Sequence, residues 1–542
     1  MHNRWYQEAL IYCLDVETYA DSGGDGIGDF VGLTSKLDYI AGLGFTCIWL
    51  LPFFPTPNRD NGYDISDYYS VDPRLGSLGD FVEFARQAHD RGIRIVIDLV
   101  INHTSSEHPW FQQARADPES PYRDYYLWSK DKPTDANQGM IFPGKQERVW
   151  TYDRVAKEYY FHRFFPHQPD LNTINPRVRD EIAKIIGFWL ELGVDGFRID
   201  AAPFVIERLD VDVADIVDPY ALITDIHHLL AWRRGDAMML AEANVDPDQL
   251  THYFGNSDRM HMLFNFILNQ HMYLALARKT AEPLVRALYM VPKKPPLCQW
   301  AVFVRNHDEL ALERLSPYER EEISRTFGFT EEMWLYDRGV PRRLPPILDG
   351  DLRRIKQVYS LLFTLPGTPV IWYGEEIGMG DNLSLEGRNP VRTPMQWSDG
   401  PNGGYSNAPV DKLIRPLISA GDYSYKQVNV AAQQRDPNSL LNAFEMMLRV
   451  RRGLPEIGRG TSQLLATNQA AVFAIRYDLA ERRMVAVHNL SDTALSVELD
   501  LGSDVSRVTH LLDGNHIAHP KDRTYLLDMQ PYDSCWLRLE RD

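Results

Sequence analysis

Acids, histidines and one arginine stand where apolar runs of this chain end. Ile93–Val100 contains Asp98 and leads to Asn102 and His103, and Val194–Ile199 contains Arg198 and leads to Asp200. Met238–Ala241 is followed at once by Glu242, and Ala301–Val304 runs into Asn306, His307 and Asp308. Such a set suits cleavage of a glycosidic bond with retention. That chemistry needs one carboxylate as nucleophile and one carboxylic acid as proton donor, about 5–5.5 Å apart across the bond. Asp200 and Glu242, at the ends of neighbouring strands, fit the two roles. Arg198 lies two residues before Asp200 and so on the same side of its strand. Its guanidinium is expected to keep Asp200 ionised and in place. The apolar MMLA before Glu242 desolvates that carboxyl and favours its acid form. Asp308 is placed to hydrogen-bond ring hydroxyls as the oxocarbenium-like state forms.

The elements that must hold these residues are legible around them. Eight short apolar runs are expected as strands: Ala9–Leu14, Thr46–Leu51, Ile93–Val100, Val194–Ile199, Met238–Ala241, Met262–Phe266, Ala301–Val304 and Pro369–Tyr373. Continuous rather than alternating apolar strands mean burial on both faces, hence a parallel sheet. Helical patterns fill most gaps, clearest at Leu78–Arg91, Arg177–Leu192 and Arg353–Leu365. Eight alternations predict an α/β fold, a (β/α)8 TIM barrel, in which polar groups at the C-terminal strand ends read as catalytic.

The expected organisation is a barrel over 1–102 and 173–455, an inserted domain over 103–172 after strand 3, and a loop-rich insertion at about 374–437 after strand 8. A C-terminal antiparallel β-sandwich follows over 456–542, with strands at Ala471–Tyr477, Arg483–Asn489, Ala494–Leu499, Val505–Leu512 and Cys535–Leu539.

Composition narrows the partners. Among 542 residues, 57 Lys and Arg face 75 Asp and Glu. That net charge of −18 disfavours nucleic acid and anionic membranes, which need basic patches, and suits a neutral substrate. No run of about 20 apolar residues is present to span a bilayer. Cys13, Cys47, Cys298 and Cys535 form no CxxC pair and no disulfide framework, and the first residues lack the apolar core of a signal peptide. A cytoplasmic location is expected. The 12 Trp, 27 Tyr and 23 Phe are mostly core residues, but also supply platforms for sugar rings.

DLVINH (Asp98–His103), GFRID (Gly196–Asp200), AEAN with Glu242, and RNHD (Arg305–Asp308) resemble the four signature regions of the α-amylase superfamily (glycoside hydrolase family 13), in the same order. QPDLN (Gln168–Asn172) resembles a fifth region as found on the oligo-1,6-glucosidase side of that superfamily. The resemblance covers nearly the whole chain. It implies Asp200 as nucleophile, Glu242 as acid/base and Asp308 as transition-state stabiliser, with His103, Arg198 and His307 completing a sugar subsite. NGYDISDY (Asn61–Tyr68) resembles the segment whose Tyr63 stacks beneath a glucosyl ring and whose Asp64 grips its non-reducing end. RTPMQW (Arg392–Trp397) supplies Arg392, which in similar exo-acting enzymes pairs with that Asp and closes the pocket around one glucosyl unit.

Within the superfamily, segments such as LPFFPTPNRDNGYD (Leu51–Asp64), HRFFPHQPDLN (His162–Asn172) and VNVAAQQRDPNSLLN (Val428–Asn442) are most similar to the trehalose synthase branch. The implied activity is interconversion of maltose and trehalose through a covalent glucosyl-Asp200. Sucrose is a further candidate substrate, and a homo-oligomer a candidate assembly. One departure is the stretch after strand 4, Leu209–Ile223, which lacks a longer loop usual in that branch. Some hydrolysis is therefore expected beside isomerisation. The alternatives are a hydrolytic or transglycosylating exo-α-glucosidase and a catalytically inactive binding or transporter-associated barrel.

Calcium is the expected cofactor, with no organic one. DSGGDGIGD places Asp21, Asp25 and Asp29 among glycines, an oxygen-rich set for a hard cation. The resemblance adds Ile27 and position 23 as ligands, where related chains have Asn and this one has Gly23. It also implies a second Ca2+ between barrel and insertion, held by Asn102, Asp170, Glu207 and the carbonyls of Phe204 and Val205.

Overall fold

The computed structural model describes residues 4–206, 218–514, 516–520 and 523–541. Eight parallel strands close into a barrel: β1 (Ile11–Leu14), β2 (Cys47–Leu50), β3 (Arg94–Leu99), β4 (Gly196–Ile199), β5 (Met238–Ala241), β6 (Met262–Phe264), β7 (Gln299–Phe303) and β8 (Thr368–Trp372). They follow one another around the ring in chain order, and β8 pairs with β1 in the register Ile11↔Val370. Every residue of these strands is buried except the half-buried Arg94, which is why they read as unbroken apolar runs.

The surrounding helices start where the sequence offers caps. Ser77 and Asp80 form a reciprocal capping box at the head of Leu78–Asp90. Asn175 caps Pro176–Glu191, with proline in its first turn, and Asp351 caps Leu352–Thr364. Each turns an apolar face to the barrel, as with Phe81, Phe84, Ala85 and Ala88 in the first.

Between β3 and β4 lies a small antiparallel sheet, in which Glu158–Phe161 pairs with Trp128–Ser129 and with Trp150–Asp153. The chain returns to the barrel through isolated bridges, His103 to Asp170 and Tyr126 to Leu171. The C-terminal region has a six-stranded antiparallel sheet facing a two-stranded one, Leu495–Asp500 with Thr524–Met529. Val485, Val487, Val497, Leu499, Leu527 and Leu537 fill the space between these two sheets. The outer face of the larger sheet joins the barrel core through Phe473, Tyr477, Met484 and Trp536. Trp536 Nε1 donates to Ser360 Oγ at 2.9 Å, and His488 Nε2 lies 2.8 Å from Thr364 Oγ1.

All eight barrel strands fall where the apolar runs predict them. Thr461–Leu464 and Thr524–Met529 are strands that the sequence did not announce. All four cysteines are free and buried. No described helix is long and apolar enough to cross a membrane. Glu207 and most of Leu209–Ile223 lie outside the described residues.

Candidate active site

Register sets the site. Asp98 of β3 is opposite Arg198 of β4, and Ile199 is opposite Ala241 of β5. The next residues on β4 and β5, Asp200 and Glu242, therefore stand side by side at the rim, where neighbouring strands are about 4.8 Å apart. Both carboxylates bind the one guanidinium of Arg198, which keeps them close enough to act together on a single glycosidic bond, as a retaining pair does. The strands approach closely because position 196 has no side chain: a Cβ there would sit 2.7 Å from the Met238 carbonyl oxygen.

Arg198, 2 % exposed, is the hub. Its Nη1 lies 2.8 Å from Asp98 Oδ1 and 2.5 Å from Asp200 Oδ1, and its Nη2 is bonded to Glu242 Oε2. Burial works against its charge, but Asp98 and Glu242 hold its pKa well above the ordinary arginine value. Burial, followed by repulsion from Asp200 and Asp308 and opposed by Arg198, raises the Glu242 carboxyl to about 7. At neutral pH much of it can carry a proton.

Asp308 is set the opposite way. Burial opposes its ionisation, yet Arg388 and Arg392 hold its carboxyl far below the usual range. Arg388 Nη1 lies 2.9 Å and Arg392 Nη2 3.0 Å from Asp308 Oδ1. His307, kept neutral chiefly by burial, has Nε2 2.9 Å from the Tyr63 hydroxyl, which donates to Asp98 Oδ2 at 3.2 Å. The Tyr63 and His307 rings stack at 5.9 Å. His103 Nε2 lies 3.1 Å from the Tyr63 carbonyl oxygen and 3.2 Å from Gln168 Nε2.

A cavity of about 370 Å3 opens above these groups. Asp200, Glu242, Asp308, Tyr63, His103 and His307 line it, together with Phe142, Phe164, Phe204 and Phe266. It has the size and the mixed apolar and polar lining of a small-ligand site.

The expected pairing of Asp64 with Arg392 does not occur. Asp64 is fully buried beneath the cavity. Its carboxylate accepts from Thr56 Oγ1 at 3.0 Å and from the backbone N–H groups of Arg59 and Asp60, each at 3.1 Å. Those donors belong to its own turn and leave it no reach toward the loop after β8. Arg392 instead donates to Asp308 and, through Nε, to the His307 carbonyl at 2.6 Å. Asp60, fixed by Gln168 Nε2 at 2.9 Å, is the acid of that segment that lines the cavity. Asp60, Arg388, Phe142 and Arg338 were not found from the sequence. Only Arg388 left a trace there, as a second arginine four residues before Arg392.

The metal expectations divide. In the 21–29 loop, Asp21 accepts from the N–H groups of Gly24 and Gly26 at 2.7 and 2.8 Å, and Asp29 from those of Ser22 and Gly32 at 2.8 and 2.6 Å. Asp25 accepts from Ile27 N–H at 2.9 Å. These acids cap their own turns, and among the described residues no three His, Cys, Asp or Glu side chains converge as a metal requires. A cation in this loop would have to share these carboxylates with the backbone donors of their own turns. At the other location, Asn102 and Asp170 lie on bridged segments, since Leu171 N–H donates to the Asn102 carbonyl at 2.8 Å, and Thr173 Oγ1 donates to the Val205 carbonyl at 2.9 Å. These oxygens are of the kind Ca2+ takes, and they stand on adjoining segments.

Comparison with known proteins follows the same residues. The family model "Alpha amylase, catalytic domain" matches residues 14–323 and 341–460. The chain is 42 % identical over 97 % of its length to a trehalose synthase from Thermus thermophilus, of which it spans only 55 %. It is 39 % identical over 99 % of its length to a trehalose synthase/amylase from Mycobacterium tuberculosis, of which it spans 90 %. Among solved structures, an α-amylase from H. orenii superposes with a TM-score of 0.80 at 26 % identity, covering 98 % of this chain and all of that one.

Proposed function

Because the chain belongs to the α-amylase family, we propose that it is a retaining enzyme of small α-glucosides that interconverts maltose and trehalose, with some hydrolysis. The observation that carries the cleavage chemistry is the Arg198 hub, which holds Asp200 and Glu242 at one rim of the cavity. Asp200 attacks the anomeric carbon from one face while Glu242 gives its proton to the leaving oxygen. A β-glucosyl ester on Asp200 forms and free glucose is released beside it. Asp308, held ionised by Arg388 and Arg392, binds ring hydroxyls most tightly as positive charge develops. Glu242 then removes a proton from the incoming hydroxyl, and the second inversion restores the α configuration. Return of glucose through its anomeric hydroxyl gives trehalose, and attack by water gives glucose. Two relatives at about 40 % identity named for trehalose synthesis support the first outcome. The different Leu209–Ile223 stretch supports a share of the second.

The test is incubation of maltose with isotopically labelled free glucose. Unlabelled trehalose as the main product, with some glucose, is expected. Glucose alone at every time point would leave a hydrolytic α-glucosidase.

We also propose a structural Ca2+ where the insertion meets the barrel, taken by Asn102 and Asp170 with the Phe204 and Val205 carbonyls. It supplies positive charge that ties these segments together and takes no part in the glucosyl transfer.

A further inference from the structure

Three connections of the barrel meet at the edge of the cavity, where Phe142, Arg338 and Arg388 line it and Tyr336 packs on Phe142 outside the lining. Phe142 comes from the insertion after β3 and lines the cavity. Its backbone N–H and that of Ile141 donate to Gln146 Oε1 at 3.3 and 3.0 Å, which pins the loop. Tyr336 comes from the connection between β7 and β8, and its ring lies 4.6 Å from that of Phe142. The Arg388 guanidinium, from the connection after β8, lies 5.1 Å from the Phe142 ring and 5.5 Å from the Tyr336 ring. Arg338 sits against the same two rings at 5.7 and 5.5 Å. Both arginines bind Glu309, at 2.7 and 2.8 Å, and Arg388 also holds Asp308.

The Tyr336 backbone is not relaxed. Leu335 to Arg338 form a tight turn closed by Arg338 N–H to the Leu335 carbonyl at 3.1 Å. Tyr336 and Asp337, at its centre, have φ of 57° and 56°. Turns of this kind usually place Asn and Gly there, and a bulky residue with positive φ is strained. Strain of this sort persists where surrounding contacts over-determine it, and it gathers at ligand clamps. Here the bridge between Leu335 and Gly339, with Leu335 N–H on the Gly339 carbonyl at 2.7 Å, and the tilted ring contact on Phe142 hold it.

We propose that Phe142 and Tyr336 form a roof that sets the partition between glucose retention and water entry, and so determine the specificity of the enzyme. The inference rests on the covalent glucosyl intermediate proposed above. That intermediate meets two acceptors, the departed glucose and water, and exclusion of water decides between them. The Phe142 ring and the ring face of Tyr336 that it meets, tilted at 47°, offer a stray water no hydrogen-bond partner at their contact. The strained turn keeps the contact releasable, so sugars can be exchanged when the rings part. The same ring pair seats Arg388, so the closed roof also places the cation on Asp308.

The test uses the full chain with Phe142→Ala, Phe142→Leu, Tyr336→Asn and Tyr336→Phe. Asn tolerates the left-handed backbone, so Tyr336→Asn removes the ring and keeps the turn. Two ratios are read: glucose to trehalose formed from maltose, and the rate on maltoheptaose relative to maltose. In Phe142→Ala and Tyr336→Asn both ratios are expected to rise by at least about threefold, as water and longer chains gain entry. Tyr336→Phe should keep the wild-type ratios and Phe142→Leu should fall between. A merely structural role would lower all products in proportion. Unchanged ratios in Phe142→Ala, or in Phe142→Leu should the first not fold, together with unchanged ratios in Tyr336→Asn, overturn the proposal. If the wild type makes no trehalose, the isomerase reading fails by itself, and the maltoheptaose ratio alone decides the roof.

Discussion

Asp200→Asn keeps the volume of a side chain at the Arg198 hub and removes only its nucleophilic charge. Turnover of maltose should fall by at least about 10³-fold, the scale for one member of a cooperating catalytic set, with an unchanged circular dichroism spectrum. A variant that kept a tenth of the wild-type rate would dismiss the assignment. Glu242 gives a separate test through pH. Burial raises its carboxyl to about 7, so the acid needed to protonate the leaving oxygen is present below that value and lost as pH rises through it. The pH profile of kcat/KM for maltose should therefore have an alkaline limb with an apparent pKa near 7, which shrinks for an aryl glucoside whose leaving group needs no proton. A flat profile from about pH 6 to 9 for maltose would rule out Glu242 as the acid. These residues were legible in the sequence because each follows an apolar strand directly, so the strand fixes its direction. Asp60 and Phe142 were not, because they come from irregular connections where spacing carries no directional information. The Asp64–Arg392 pairing failed for a related reason. Which of several acids in one turn faces the cavity depends on backbone hydrogen bonds that a motif does not show.

At the scale of elements, β4 and β5 are the pair on which the chemistry rests. A methyl group at position 196 would press on the Met238 carbonyl at 2.7 Å and on its Cγ at 2.9 Å. Gly196→Ala should destabilise the fold by about 1–3 kcal/mol and lower activity further, because it moves Asp200 relative to Glu242. Gly187→Ala is the control. It lies in a helix with nothing within 4 Å of the added carbon, so it should be neutral or stabilising by about 0.5–1 kcal/mol. Equal melting temperatures and rates for the two variants would refute the close-approach argument. The barrel strands could be read from sequence because burial on both faces leaves an unbroken apolar signature. Thr524–Met529 could not. Its side chains alternate in and out of the sandwich, but Leu526, 65 % exposed, breaks the alternation in composition, and its partner strand is Leu495–Asp500, across an intervening strand pair.

At the scale of the whole molecule, the insertion must stay registered on the barrel for Phe142 to reach Tyr336. The proposed Ca2+ at Asn102 and Asp170 would act at that junction. A ligand bound only by the folded state stabilises it by about 2.7 kcal/mol when present at 100 times its dissociation constant. Exhaustive chelation should accordingly lower the melting temperature, and Ca2+ should restore it, while Asp21→Asn should leave that response intact. A melting temperature indifferent to chelator would remove calcium from the account.

The closure of β8 on β1 has a temporal side. Ile11 and Val370 are neighbours in space but are made more than three hundred residues apart. During synthesis, β1 must wait with one edge unpaired until nearly all the barrel has left the ribosome. The wait extends further, because the helix Leu352–Thr364 is covered by Trp536 and His488 of the last sheet. Loop closure over such distances makes folding slow, and half-made parallel sheets expose sticky edges. The enzyme therefore has no useful half. Its nascent chain depends on late residues to shelter early ones.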